Sequence, residues 1–104
     1  MVKKITGNDM SAVLSSPAAL VDFSAQWCGP CQMLSPVLEE LSCEFDGTVE
    51  FFQADVDENN QLAMEYGIQS IPAVYLFCNG EAAGQMIGFQ PKESLRIWLE
   101  QQLS

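Results

Sequence analysis

Apolar runs of strand length alternate with helix-patterned segments along the whole chain, and that alternation confines it to an α/β fold. "KKIT" reads as a short edge strand, and "ALVDF" (Ala19 to Phe23) is compact and apolar, as a buried central strand should be. Between them "NDMSAVLSS" is a weak helix, with Asn8 or Asp9 available as its cap and Pro17 soon after. "VEFFQADV" (Val49 to Val56) is a second main strand, "ENNQLAMEYG" a short helix closed by Gly67, and "AVYLFC" (Ala73 to Cys78) a third main strand. Asn79-Gly80 is the strongest short hairpin signal, a type I′ turn, so the strand from about Glu81 to Ile87 returns antiparallel. A last helix runs from about Pro91 to Leu103, with Leu95, Trp98, Leu99 and Leu103 on its apolar face.

The longest helical pattern follows Cys28. Leu34, Leu38, Leu41 and Phe45 recur at spacings of four, three and four, with Val37 alongside. Pro30 suits the first turn, Pro36 should kink the helix, and Gly47 ends it. The predicted order is β-α-β-α-β-α-β-β-α, a central mixed β-sheet with helices on both faces. Strands joined by helices are expected parallel and the terminal hairpin antiparallel. With 104 residues, 48% of them apolar, the chain is one domain's worth, residues 1–104.

Composition removes several functions. Acidic residues outnumber basic ones 14 to 4, and Lys3, Lys4, Lys92 and Arg96 all lie near the ends. Nothing between Ile5 and Pro91 can form the basic patch that phosphates need, so nucleic acid is not expected as a partner. The acidity serves solubility first, and weakly suggests a basic patch on a partner. No apolar stretch is long enough to span a membrane. The start, "MVKKITGNDM", lacks the apolar run of a signal peptide, so the expected location is cytoplasmic. The chain has no histidine, which removes Ser-His and Cys-His nucleophiles and the commonest metal ligand.

That leaves "WCGPC" at residues 27 to 31. A zinc site needs four ligands, and the other two would have to be Cys43 and Cys78, although Cys43 falls away from the core stripe of its helix. A permanent disulfide across two residues removes little entropy from the unfolded chain. A redox pair fits best. Cys28 sits where a strand-side loop meets a helix N-terminus, whose N–H groups and dipole favour a thiolate. Cys31 lies one turn on, and Pro30 holds the turn. Asp22 interrupts an apolar strand, so burial should raise its pKa.

"WCGPC", with "VDF" before it, Ile71-Pro72, Asn79-Gly80 and Gly88-Phe89 in order, resembles the thioredoxin family over essentially the whole chain. The resemblance implies the thioredoxin fold and a general protein-disulfide reductant. Cys28 would be the nucleophile and Cys31 the resolving thiol of a redox disulfide. Asp22 would be the proton acceptor and donor for Cys31. It implies a cis peptide bond at Pro72 facing Cys28. Trp27, Gly29, Pro30, Ile71, Pro72 and Gly88 would line a shallow substrate groove, with the Ile71 backbone free to pair with a substrate strand. No bound cofactor or metal is implied. Electrons would come from a thioredoxin reductase and pass to disulfide-containing proteins, and the carrier would be a monomer.

Four positions depart from the familiar pattern. Gln53 and Gln32 stand where lysines are common, and Ser24 where an aromatic residue is common. Gln53 cannot neutralise Asp22, though it can hydrogen-bond to it. With no cation nearby, the Cys28 thiolate would rely on the helix terminus. Ser70 replaces a frequent glycine at the groove edge. Cys43 and Cys78 read as ordinary thiols, and Asp57 as a turn residue or helix cap. The competing functions are an oxidase or isomerase of the same fold and a binding subunit of a larger assembly. Gly-Pro between the cysteines, with no histidine, favours the reductant.

Overall fold

A computed structural model describes all 104 residues. Five strands and four helices follow in the predicted order: β1 (Val2–Ile5), α1 (Ser11–Ser15), β2 (Ala18–Ser24), α2 (Gly29–Glu44), β3 (Glu50–Asp55), α3 (Asn60–Glu65), β4 (Ala73–Cys78), β5 (Glu81–Ile87) and α4 (Lys92–Leu103). They form one mixed sheet of order β1-β3-β2-β4-β5. β1 and β2 run parallel to β3 on its two sides, while β4 is antiparallel to β2 and β5 antiparallel to β4. No helix is long and apolar enough to cross a membrane.

Every residue of β2 is buried, Asp22 and Ser24 among its apolar neighbours, as a central strand covered on both faces requires. Its side chains alternate between two cores. Ala19, Val21 and Phe23 join Val13 of α1 and Leu62 of α3 on one face. Leu20 joins Leu34, Leu38 and Leu41 of α2 and Leu95 and Leu99 of α4 on the other. Helices therefore cover both faces. The β4–β5 connection is the Asn79-Gly80 turn, with φ of 52° and 84°, the two positive angles of a type I′ turn.

β4 departs from expectation. Although α3 joins it to β3, it does not run parallel to its neighbours. The difference is one of path, not of length: the connection through the shorter α1 (residues 6–17) crosses back along the sheet and leaves β1 and β2 parallel, whereas the connection through α3 (residues 56–72) stays at the end where β3 finishes. The chain therefore enters β4 from the end at which it left β3. That reversal brings Ile71 and Pro72 to the same edge as Cys28.

The capping expectations also change. Asp9 Oδ1 accepts the Ser11 N–H at the start of α1 (3.0 Å). Asn8 serves a different helix, its Oδ1 accepting the Leu62 N–H of α3 (3.1 Å). Asn59, fully buried, ties the region together. Its Nδ2 donates to the carbonyls of Ile5 (2.9 Å) and Asp55 (3.1 Å), and its Oδ1 accepts the Asn8 N–H (2.9 Å). At the other end of α3, Gly67 (φ 62°) donates to the Met64 carbonyl and Ile68 to that of Ala63, the paired bonds of a Schellman ending. α2 continues through Pro36 and ends at Glu44, before Gly47.

Candidate active site

Cys28 is the N-cap residue of α2, and its Sγ accepts the Cys31 N–H at 3.3 Å. Pro30 occupies the first turn, where its missing N–H costs nothing. Cys28 and Cys31 form a disulfide with a Cα–Cα separation of 5.2 Å. Cys28 is the outer sulfur residue, 6% exposed against 1% for Cys31. Both pack with Ala25, Val56 and Ile71. The open end of a 16-residue helix directs its unpaired N–H groups and positive dipole at this sulfur, which favours a thiolate once the bond is reduced.

The Ile71–Pro72 peptide bond is cis. The Ile71 carbonyl lies 3.9 Å from Cys28 Sγ, across 43 residues of sequence. Pro72 is buried, and its carbonyl accepts the Gly88 N–H at 2.7 Å, tying β5's exit to the same loop. Trp27 is 72% exposed beside the pair, its Nε1 donating to Asp57 Oδ2 at 2.9 Å. Asp57 is thus a partner of Trp27. Asp55 closes the turn instead, its Oδ1 accepting the N–H groups of Asp57 and Glu58. Gly29 and Pro30 are exposed, Ile71 and Gly88 half-buried. A depression of about 330 Å³ beside Trp27 is lined by Val56, Met64, Ile68 and Ile71.

Asp22 is fully buried on the α2 side of β2. Burial pushes its carboxyl up to about 7, opposed by a hydrogen bond from Gln53. Gln53 stands directly across the β2–β3 pairing, its Nε2 donating to Asp22 Oδ2 at 3.4 Å. Asp22 Oδ1 is buried without a protein partner. The same Gln53 amide donates to Ser35 Oγ at 3.3 Å. Ser35 was not legible as a site residue, because its helix position gives no hint of what lies across the sheet. Lys4 was missed too. It sits on β1 beside Gln53 and, with Gln53 and Ser35, lines a polar cavity on this side of the sheet. Gln32 turns back to the carbonyls of Ala25 and Gln26. Ser24 is buried at the end of β2. Cys43 is exposed and Cys78 half-buried, both as free thiols. No group of three or more His, Cys, Asp or Glu side chains is arranged to hold a metal ion.

Two cysteines that close a bond at a helix N-terminus and can reopen it make this protein a disulfide oxidoreductase. The comparisons with known proteins agree. The sequence model of the Thioredoxin family matches residues 2–101. A thioredoxin of Staphylococcus epidermidis is 44% identical over 102 residues, covering 98% of each chain. A thioredoxin of Staphylococcus aureus is 42% identical over the same length and coverage. The chain belongs to the thioredoxin family. Its activity is general protein-disulfide reduction by dithiol–disulfide exchange at Cys28 and Cys31, with no bound cofactor.

Proposed function

We propose that the residues divide the exchange as follows. The Cys28 thiolate attacks a substrate disulfide, forming a mixed disulfide and expelling one substrate thiolate. Cys31 then attacks Cys28, a new Cys28–Cys31 bond forms, and the second substrate sulfur leaves. The substrate gains two electrons and the pair loses them. The observation carrying this assignment is the position of Cys28 as helix N-cap and outer sulfur.

Asp22 is the base for Cys31. A carboxyl near 7 holds both protonation states at neutral pH, which suits a group that takes a proton and gives it back. The substrate strand lies against Trp27, Gly29, Pro30, Ile71, Pro72 and Gly88. The Ile71 main chain supports this reading, since its carbonyl faces Cys28 Sγ and no internal backbone bond occupies it. The protein works as one domain, residues 1–104, a cytoplasmic monomer recharged by a thioredoxin reductase. A Cys31→Ser variant incubated with a disulfide protein should accumulate a mixed disulfide at Cys28, and Cys28→Ser should trap nothing. The reverse pattern would exchange the two roles.

A further inference from the structure

The hydrogen bonds beside Asp22 form a directed chain. Ser35 Oγ donates to the Cys31 carbonyl at 3.3 Å and accepts from Gln53 Nε2 at 3.3 Å. The second hydrogen of that amide goes to Asp22 Oδ2 at 3.4 Å. The two carboxyl oxygens are therefore unequal, one held by an amide and the other, Oδ1, buried without a protein partner. A side-chain amide orients a carboxyl but does not pass a proton along. The amide is itself oriented by Ser35, and Ser35 by the main chain of the resolving cysteine. Ser35 and Gln53 are half-buried in the wall of a cavity of about 250 Å³, whose charged lining groups are Lys4, Asp55 and Glu58. None of Trp27, Ile71, Pro72 or Gly88 lines it, so a substrate covering the groove leaves this side hydrated.

We propose that Ser35 and Gln53 are a positioning pair for the resolving step, holding Asp22 so that Oδ1 is the atom that takes the Cys31 proton. The inference rests on Asp22 being the base. The step balances: the Cys31 thiol gives its proton to Oδ1 by way of a water, its sulfur bonds to Cys28, the bond from Cys28 to substrate breaks, and the substrate leaves as a thiolate. Without Ser35 the Gln53 amide loses its second anchor and holds the charged carboxylate less well. The carboxyl then gives up its proton only at higher pH, and release of substrate shifts with it.

Two readouts test this: the Asp22 ¹³Cγ titration in the reduced protein, and the pH profile of substrate release from the Cys28 mixed disulfide. Ser35→Ala should raise both midpoints by roughly half a pH unit, and Gln53→Met by about one, the size expected for weakening or losing a hydrogen bond to the charged form. Ser35→Thr should restore the original values. The double variant should match Gln53→Met alone, because Ser35 acts only through Gln53. Unchanged midpoints in Ser35→Ala, or additive shifts in the double variant, would overturn the proposal. Asp22→Asn separates the two levels. If it releases substrate with the original rate and profile, Asp22 is not the base and both readings fall. If it slows release while Ser35→Ala shifts nothing, only the positioning role falls.

Discussion

Asp22 carries a cost that its surroundings only partly offset. Its folded carboxyl titrates near 7 because the charged form is denied water, while an unfolded Asp titrates near 4. Between these values the native state holds a proton that the unfolded chain has released. Stability should therefore fall as pH rises from about 4 to about 7, and the loss is complete above that. Three units correspond to roughly 4 kcal/mol as an upper bound. An Asn in the same place still needs partners, so Asp22→Asn should gain roughly 2 kcal/mol at pH 8 and flatten the profile, as urea unfolding across that range would record. Gln53→Lys acts on the titration itself. A cation beside Asp22 should lower its titration midpoint, and an unmoved ¹³Cγ midpoint would refute the idea that Gln53 leaves the carboxyl unneutralised.

At the scale of elements, the sequence pattern and the structure agree where the signal is local. β4 ends and β5 begins where Asn79-Gly80 dictates, and the stripe of Leu34, Leu38 and Leu41 does face the core. The Cys28–Cys31 pair and the burial of Asp22 were readable for the same reason, a short motif and a break in an apolar run. The direction of β4 was not, because it depends on the path the chain takes between β3 and β4 rather than on any residue within β4. Asn59, Ser35 and the Trp27–Asp57 bond were hidden likewise, their partners lying 54, 18 and 30 residues away. Asn59 should matter more than its sequence position suggests. Asn59→Ala takes their side-chain partner from the buried Ile5 carbonyl and from the Asn8 N–H, and leaves the Asp55 carbonyl only the residue-59 N–H, so it should cost about 3 kcal/mol in urea unfolding of the oxidised protein. Asn8→Ala, which removes a helix cap and puts alanine at a positive φ of 57°, should cost about 2 kcal/mol.

At the scale of the molecule, charge and redox poise set whom the protein meets. Lys3, Lys92 and Arg96 are tied to Glu50, Glu40, Glu44 and Glu93, while Asp55, Asp57 and Glu58 stand near the site. Encounter with a reductase should weaken as salt screens these acids, seen as kcat/KM falling between low and physiological ionic strength with kcat little changed. The potential of the Cys28–Cys31 pair, followed by Trp27 fluorescence in thiol–disulfide buffers, should lie low, near the roughly −270 mV that characterises thioredoxin itself. A value far above it would belong to an oxidase.

The reversal at β4 reaches further than topology. Had the connection through α3 crossed the sheet, as the one through α1 does, the chain would have entered β4 from the opposite end. Ile71 and Pro72 would then sit a strand's length, about 20 Å, from Cys28. Such a protein would keep every letter of "WCGPC" and still have no surface on which to dock a substrate. Motif and docking surface come from separate stretches of the chain, and a change of path remote from both cysteines is enough to part them.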